Sequence, residues 1–160
     1  MNKIYFNNSE NVKKLGNELE EWLGTPYRHF CRVKGRGVDC ALFLASVFVN
    51  LGIIKKLDYE YYSKDWHNNS LKNIFLINFK HNIRKNIANG LKVDRVETAI
   101  KPLLQGDWLM FTINSKHINH SAIYIGDGKI VHAIQNRGVI IDELKTWKYY
   151  MKRSYRLYYV

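Results

Sequence analysis

Two cysteines and two prolines are all that the 160 residues contain, and each scarcity excludes something. Cys31 and Cys40 could form one disulfide in principle, but reduced thiols are expected in a chain without a signal peptide. No Cys-x-x-Cys and no closely paired histidines supply the spacing of a zinc site, so no metal and no other cofactor is expected. Repeats, heptads and low-complexity linkers are absent too. Nothing divides the chain, and residues 1–160 read as one domain with room for a real core.

Long apolar runs are also missing. The longest follows Cys40 and is broken by Asn50 and Gly52, too short to span a bilayer. The N-terminus, Met1-Asn2-Lys3-Ile4-Tyr5-Phe6, has no apolar core of a secretory signal. Synthesis and folding in the cytoplasm are expected, with any exit by lysis, a particle or a specialised route. Acidic residues are outnumbered, 14 against 25 basic, for a net charge of +11. Such a surface favours nucleic acid, anionic lipid or acidic cell-wall polymer. Yet the basic residues are dispersed, from Lys13 and Lys14 through Arg28, Lys34 and Lys55 to Arg156. No helix carries a basic stripe and no nucleic-acid motif is present, so no specific nucleic-acid partner is expected.

What is present falls into two halves. Ser9 to Leu23 reads as a helix capped by Ser9, with Val12, Leu15, Leu19, Trp22 and Leu23 on one stripe. Gly24-Thr25-Pro26 ends it. A second helix runs from about Cys40 to Leu51 and a third from Ser70 to Ala88, with a structured aromatic loop around Tyr59–Trp66 and a short element near Val93–Ile100. After Gly106 the period changes. Trp108–Phe111, Ser121–Ile125, Lys129–Ala133, Gly138–Ile141 and Arg153–Tyr159 read as strands, with Gly126-Asp127-Gly128 as a hairpin turn. Helices followed by antiparallel strands predict an α+β domain.

Cys40 stands where a glycine-rich loop becomes an apolar helix, with Asp39 suited to cap it. A thiol in the first turn meets unpaired N–H groups and the positive end of the helix dipole, and both favour the nucleophilic thiolate. The hairpin makes the strands of His120 and His132 neighbours, with position 120 pairing near 134 and the two histidines about diagonal. Packed on that sheet, the helix start would bring together a nucleophile, a base and an orienting group. The Cys40 N–H and the Tyr27 hydroxyl are candidate oxyanion donors. Taken singly, each residue has a structural explanation: a buried thiol, two strand histidines, a loop tyrosine. His29, His67, His81 and His117 are not placed by a regular element near Cys40.

Together, Gly24-Thr25-Pro26-Tyr27, Gly37-Val38-Asp39-Cys40 and the stretch His120-Ser121-Ala122 to Val131-His132-Ala133 resemble the NlpC-type cell-wall cysteine peptidases, which are papain-like. The resemblance covers about Trp22 to the C-terminus. Tyr62-Ser63-Lys64-Asp65-Trp66-His67 is similar to a stretch of the branch encoded by phages and prophage-like elements. The resemblance implies a papain-like fold and hydrolysis of peptidoglycan stem peptides, typically between D-γ-glutamate and the following diamino acid. It implies Cys40 as nucleophile, His120 as base, His132 as orienting residue, Tyr27 near the oxyanion, and Asp39 as a ligand for the substrate's free amine.

The chain departs from the family in having Ala41-Leu42 after the cysteine, where Ser-Gly is usual, which removes a polar group from the substrate pocket. Cys31 and basic residues occupy a loop that is often Gly-Gly. The alternatives are a muramoyl-alanine amidase or tail-processing protease on the same fold, a silent structural tail component, and a polyanion-binding module. Phage-tail proteins are the macromolecular partners the resemblance suggests.

Overall fold

The computed structural model describes residues 2–160. Its first helix, α1 (Ser9–Trp22), is capped by Asn8, whose side chain accepts from the N–H groups of Glu10 and Asn11. The expected cap was Ser9. Both residue types cap well, and the one standing a residue earlier takes the role. Leu15, Leu19 and Trp22 form the buried stripe. A loop carrying the two-residue strands β1 (Arg32–Val33) and β2 (Gly37–Val38) leads to α2 (Cys40–Asn50). Nearly every side chain of α2 is buried, as its unbroken apolar sequence requires of a central helix.

The helix expected over Ser70–Ala88 is shorter than expected, and a separate turn precedes it at the end of the aromatic loop. A single turn, α3 (Trp66–Asn69), is followed by α4 (Ile74–Lys85), whose cap Asn73 accepts from Leu76 N–H. The apolar spacing began at Leu71, but Leu71 is 92% exposed and belongs to the link between them. The element expected at Val93–Ile100 is a strand, β3 (Leu91–Arg95), paired with the C-terminal strand.

The remaining strands are β4 (Trp108–Phe111), β5 (His120–Gly126), β6 (Lys129–Ile134), β7 (Gly138–Glu143) and β8 (Met151–Tyr159), with a short helix α5 (Leu144–Trp147) after β7. They form one antiparallel sheet in the order β3-β8-β4-β5-β6-β7. The α+β class expected from the sequence is the architecture found. Strand alternation divides the sheet's two faces. Trp108, Met110, Ile123, Val131 and Ala133 join the main core with α1 and α2, where Phe48 packs on Trp108 at 4.3 Å between ring centroids. Leu109, Phe111, Ala122 and Ile130 face the other way and are covered by Leu144 of α5.

Gly138, at the start of β7, cannot be another residue without rearrangement. Its φ is +75°, and a Cβ there would lie 2.5 Å from the Thr25 carbonyl oxygen. That approach lets Val139 N–H donate to Thr25 O (2.9 Å) and Gly24 N–H to Val139 O (3.0 Å). The loop leading to Tyr27 is thereby fastened to the edge of the sheet.

Candidate functional site

Cys40 opens α2, and the cap is Asp39, whose Oδ1 accepts from Leu42 N–H at 2.9 Å. The other carboxylate oxygen accepts from Phe30 N–H (2.9 Å) and from the Tyr62 hydroxyl (2.6 Å). Phe30 is held in the left-handed region at φ 50° to make its bond, a cost the surrounding loop must sustain. Asp39 is only 2% exposed, and three of the roughly four acceptor positions of its carboxylate are already used. One is left open, where the family resemblance would place the substrate's free amine.

The thiol sits against β5. Cys40 Sγ lies 3.6 Å from the carbonyl oxygen of Asn119, the residue before His120, and Ser121 Oγ donates to Cys40 O at 2.9 Å. Cys40, Tyr27, Asp39 and His120 line one open cavity of about 260 Å³, together with Ala41, Tyr62, Lys64, His67 and Trp147. Ala41 thus lies on the cavity wall, where the serine usual in the resembled peptidases would have added a hydroxyl.

The histidines meet as the hairpin predicts. Tyr124 pairs with Ile130 and Ile123 with Val131. The same register brings His132 opposite Ala122, one diagonal step from His120. His120 Nε2 lies 2.8 Å from His132 Nδ1. Both side chains lie on the Phe111 face, where Trp147 stacks over His120 (5.9 Å, 29°) and meets His132 edge-on (5.0 Å, 83°). The other ring nitrogen of His132, Nε2, lies 3.4 Å from Asp142 Oδ2.

Burial sets the electrostatics. It pulls His120 down to about 3, with the neighbouring His132 acting in the same direction. His132 is also held below its ordinary value by burial, against the pull of Asp142. The thiol is pushed well up, first by burial and then by the Asp39 carboxylate, and backbone N–H groups at Ser121, Ala41 and Cys40 only partly oppose this. Desolvation thus works against the thiolate that the helix start favours, and towards a neutral thiol beside a neutral imidazole. Burial likewise raises the Tyr27 hydroxyl, which stays a protonated donor at neutral pH.

Five residues expected at the site, Tyr27, Asp39, Cys40, His120 and His132, are brought together. His67 also reaches the cavity wall, and His29 accompanies it, its Nε2 lying 2.7 Å from Tyr62 O. Asp142 and Trp147 were not anticipated. His81 lies elsewhere, against Asp58 at 2.8 Å.

Residues 24–157 match the sequence profile of the NlpC/P60 family. The chain belongs to the NlpC/P60 family. A probable endopeptidase NlpC homolog from Haemophilus influenzae is 27% identical over 147 residues, covering 91% of this chain and 62% of the relative. The gamma-DL-glutamyl hydrolase of Bacillus subtilis is 41% identical over 61 residues, 35% of this chain and 15% of that protein. This NlpC/P60 chain therefore spans less than two thirds of either relative. Among solved structures, the NlpC/p60 domain of the peptidoglycan hydrolase SagA superposes with a TM-score of 0.56 at 17% identity, covering 89% of this chain and 96% of that domain. The papain-like α+β fold of the family is the fold of this chain.

Proposed function

We propose that this chain is a cysteine peptidase that hydrolyses an amide bond of peptidoglycan stem peptides, of the γ-D-glutamyl–diamino acid type. The observation that carries the reading is that His120, which lines the cavity holding Cys40, is in contact with the fully buried His132 behind it. Membership of NlpC/P60 and similarity to an endopeptidase and a γ-glutamyl hydrolase support the bond type.

The chemistry follows from the resting protonation states. A neutral imidazole is a base, and a neutral thiol must lose its proton to attack. His120 takes the thiol proton as sulfur adds to the scissile carbonyl carbon. The oxyanion that forms is met by the Cys40 N–H and the Tyr27 hydroxyl. The imidazolium returns its proton to the leaving amine, leaving a thioester that water hydrolyses, with His120 again as base. His132 orients His120 throughout. Asp39, with one acceptor position left, binds the free amine of the peptide.

The stretch Tyr62–His67 further supports a phage- or prophage-encoded cell-wall hydrolase, carried by a particle with tail proteins as partners. Lys64 and His67 from that stretch are on the cavity wall. One observation favours a second reading, a silent component on the same fold. The hydrogen bond recorded for the thiol goes to the Asn119 carbonyl.

Purified protein incubated with L-Ala-γ-D-Glu-diaminopimelate and with intact peptidoglycan, products read by mass spectrometry, separates the two. Release of L-Ala-D-Glu is expected. Absence of any new amine from both substrates would refute the peptidase and leave the silent component.

A further inference from the structure

Beyond His132 the chain of polar contacts continues, and it ends at a carboxylate that is itself held in place. Asp142 pairs with Ile130 across the β6–β7 ladder, one diagonal step from His132. His120, His132 and Asp142 therefore lie in a staggered row across three adjacent strands, all on one face. Asp142 Oδ2 accepts from Trp147 Nε1–H at 3.0 Å and lies 3.4 Å from His132 Nε2, while Oδ1 accepts from Glu143 N–H at 3.0 Å.

We propose that Asp142 is a positioning residue which dictates, through His132, the nitrogen of His120 that carries a proton. The inference rests on the base role proposed above for His120. An ionised carboxylate only accepts hydrogen bonds, so the nitrogen facing it, His132 Nε2, is the protonated one. In a neutral His132 that leaves Nδ1 as an acceptor. The atom 2.8 Å away, His120 Nε2, must then donate. His120 Nδ1 is left with a bare lone pair, the form a base requires. With the opposite tautomer of His132, Nδ1–H would donate to His120 Nε2 and force the proton onto His120 Nδ1, and the base would be lost.

The row works only while His132 stays neutral. The charged and titratable groups facing it are His120 from β5, Asp142 from β7, and Arg137 from the turn before β7. Arg137 Nη1 lies 3.4 Å from Asp142 Oδ2, and its positive charge opposes protonation of His132, as does burial. Trp147 serves both ends at once. Its ring stacks on His120, and its N–H fixes the carboxylate that orients His132. When His120 takes the thiol proton, the positive charge stays on His120, stabilised by the Nδ1 lone pair of a neutral His132 and by the ionised Asp142 behind it.

The test reads protons directly. In uniformly 15N-labelled protein at pH 7.5, long-range 1H–15N correlation spectra assign the tautomers of His120 and His132, with His120→Gln and His132→Gln identifying the signals. Both rings are expected neutral with the proton on Nε2. In folded Asp142→Ala the preference of His132 is expected to disappear and part of the His120 population to move to Nδ1–H. Asp142→Asn, whose amide oxygen still accepts, should keep most of the wild-type tautomer. On L-Ala-γ-D-Glu-diaminopimelate, kcat of Asp142→Ala should fall roughly tenfold or more, with KM little changed and partial rescue by Asp142→Asn. If Asp142→Ala does not fold, Trp147→Phe, which keeps a ring over His120 but removes the donor, should shift the tautomers in the same direction. A wild type with His120 protonated on Nδ1, or tautomers unmoved in folded Asp142→Ala, overturns the proposal. A wild type with the expected tautomers that cleaves no stem peptide upholds the positioning and refutes the peptidase reading instead.

Discussion

Ser121 Oγ donates to the Cys40 carbonyl oxygen at 2.9 Å, tying the strand that begins with His120 to the helix that begins with Cys40. Ser121 is fully buried and lies on the helix-facing side of β5, while His120 lies on the other. Thiol and imidazole are therefore set by one covalent neighbour and one hydrogen bond. Ser121→Ala should cost about 1 kcal/mol of stability, read as a lowered urea midpoint. It should also lower kcat more than KM, because a misplaced nucleophile loses effective concentration rather than substrate affinity. Unchanged turnover would mean that α2 is held in place without this bond.

Cys40→Ala and His120→Ala should each abolish hydrolysis while the circular dichroism spectrum and the cooperative unfolding transition persist. His132→Ala should keep partial activity, since water can take an orienting role. Wild-type turnover by Cys40→Ala would remove the chain from the cysteine peptidases.

The pH dependence follows from the buried imidazole. His120 is neutral in the folded chain down to about 3, against an ordinary 6.5. The base is thus available throughout the range from pH 5 to 8, and kcat/KM should show no acid limb at 6.5. Stability behaves conversely. Below 6.5 the unfolded chain binds a proton that the folded chain refuses, so this contribution is complete above 6.5 and is lost as pH falls towards 3. Urea midpoints at pH 7 and pH 5 should differ by less in His120→Gln than in the wild type. Equal differences would show that the ring is not held neutral.

Cys31 is half-buried and free, outside the cavity that holds Cys40. Cys31→Ser should change neither turnover nor stability by more than about 0.5 kcal/mol. Iodoacetamide, read by mass spectrometry at each cysteine, should modify Cys40 slowly at neutral pH and faster as the solution becomes alkaline, because burial holds its proton. Rapid modification at pH 6 would show instead that the helix dipole prevails over desolvation.

Much of this was written in local pattern. The stripe of α1, the unbroken apolar run of α2 and the Gly126-Asp127-Gly128 turn gave the two helices, the hairpin register and hence the meeting of His120 with His132. The misses share a cause: the deciding partner is distant in sequence. β3 is a strand because Leu91 to Arg95 pair with Tyr159 to Tyr155, a contact no local period encodes. Periodicity carried the third helix through Leu71, but the helix begins only at Ile74, after its cap Asn73. Tyr62 stood inside a noticed aromatic stretch, yet its bond to Asp39 spans 23 positions. Asp142 could have been suspected from the register, since it falls two positions beyond the partner of His132 on β7. Trp147 could not, because a single-turn helix leaves almost no periodic signal. For the thiol, the helix dipole is visible in sequence, and the opposing desolvation is not.

The two hydrogen bonds between Val139 and the Gly24–Thr25 loop have a consequence away from chemistry. β7 is the last strand of its sheet, and such a strand offers unpaired backbone groups to any extended chain that meets it. Val139 has both its N–H and its carbonyl occupied by the loop. Loosening the segment that carries Tyr27 would therefore do two things at once: disturb one wall of the cavity, and uncover an adhesive border on which copies of the protein could zip together. The covered border and the placement of the tyrosine thus depend on the same few atoms, and Gly138 is where the two meet.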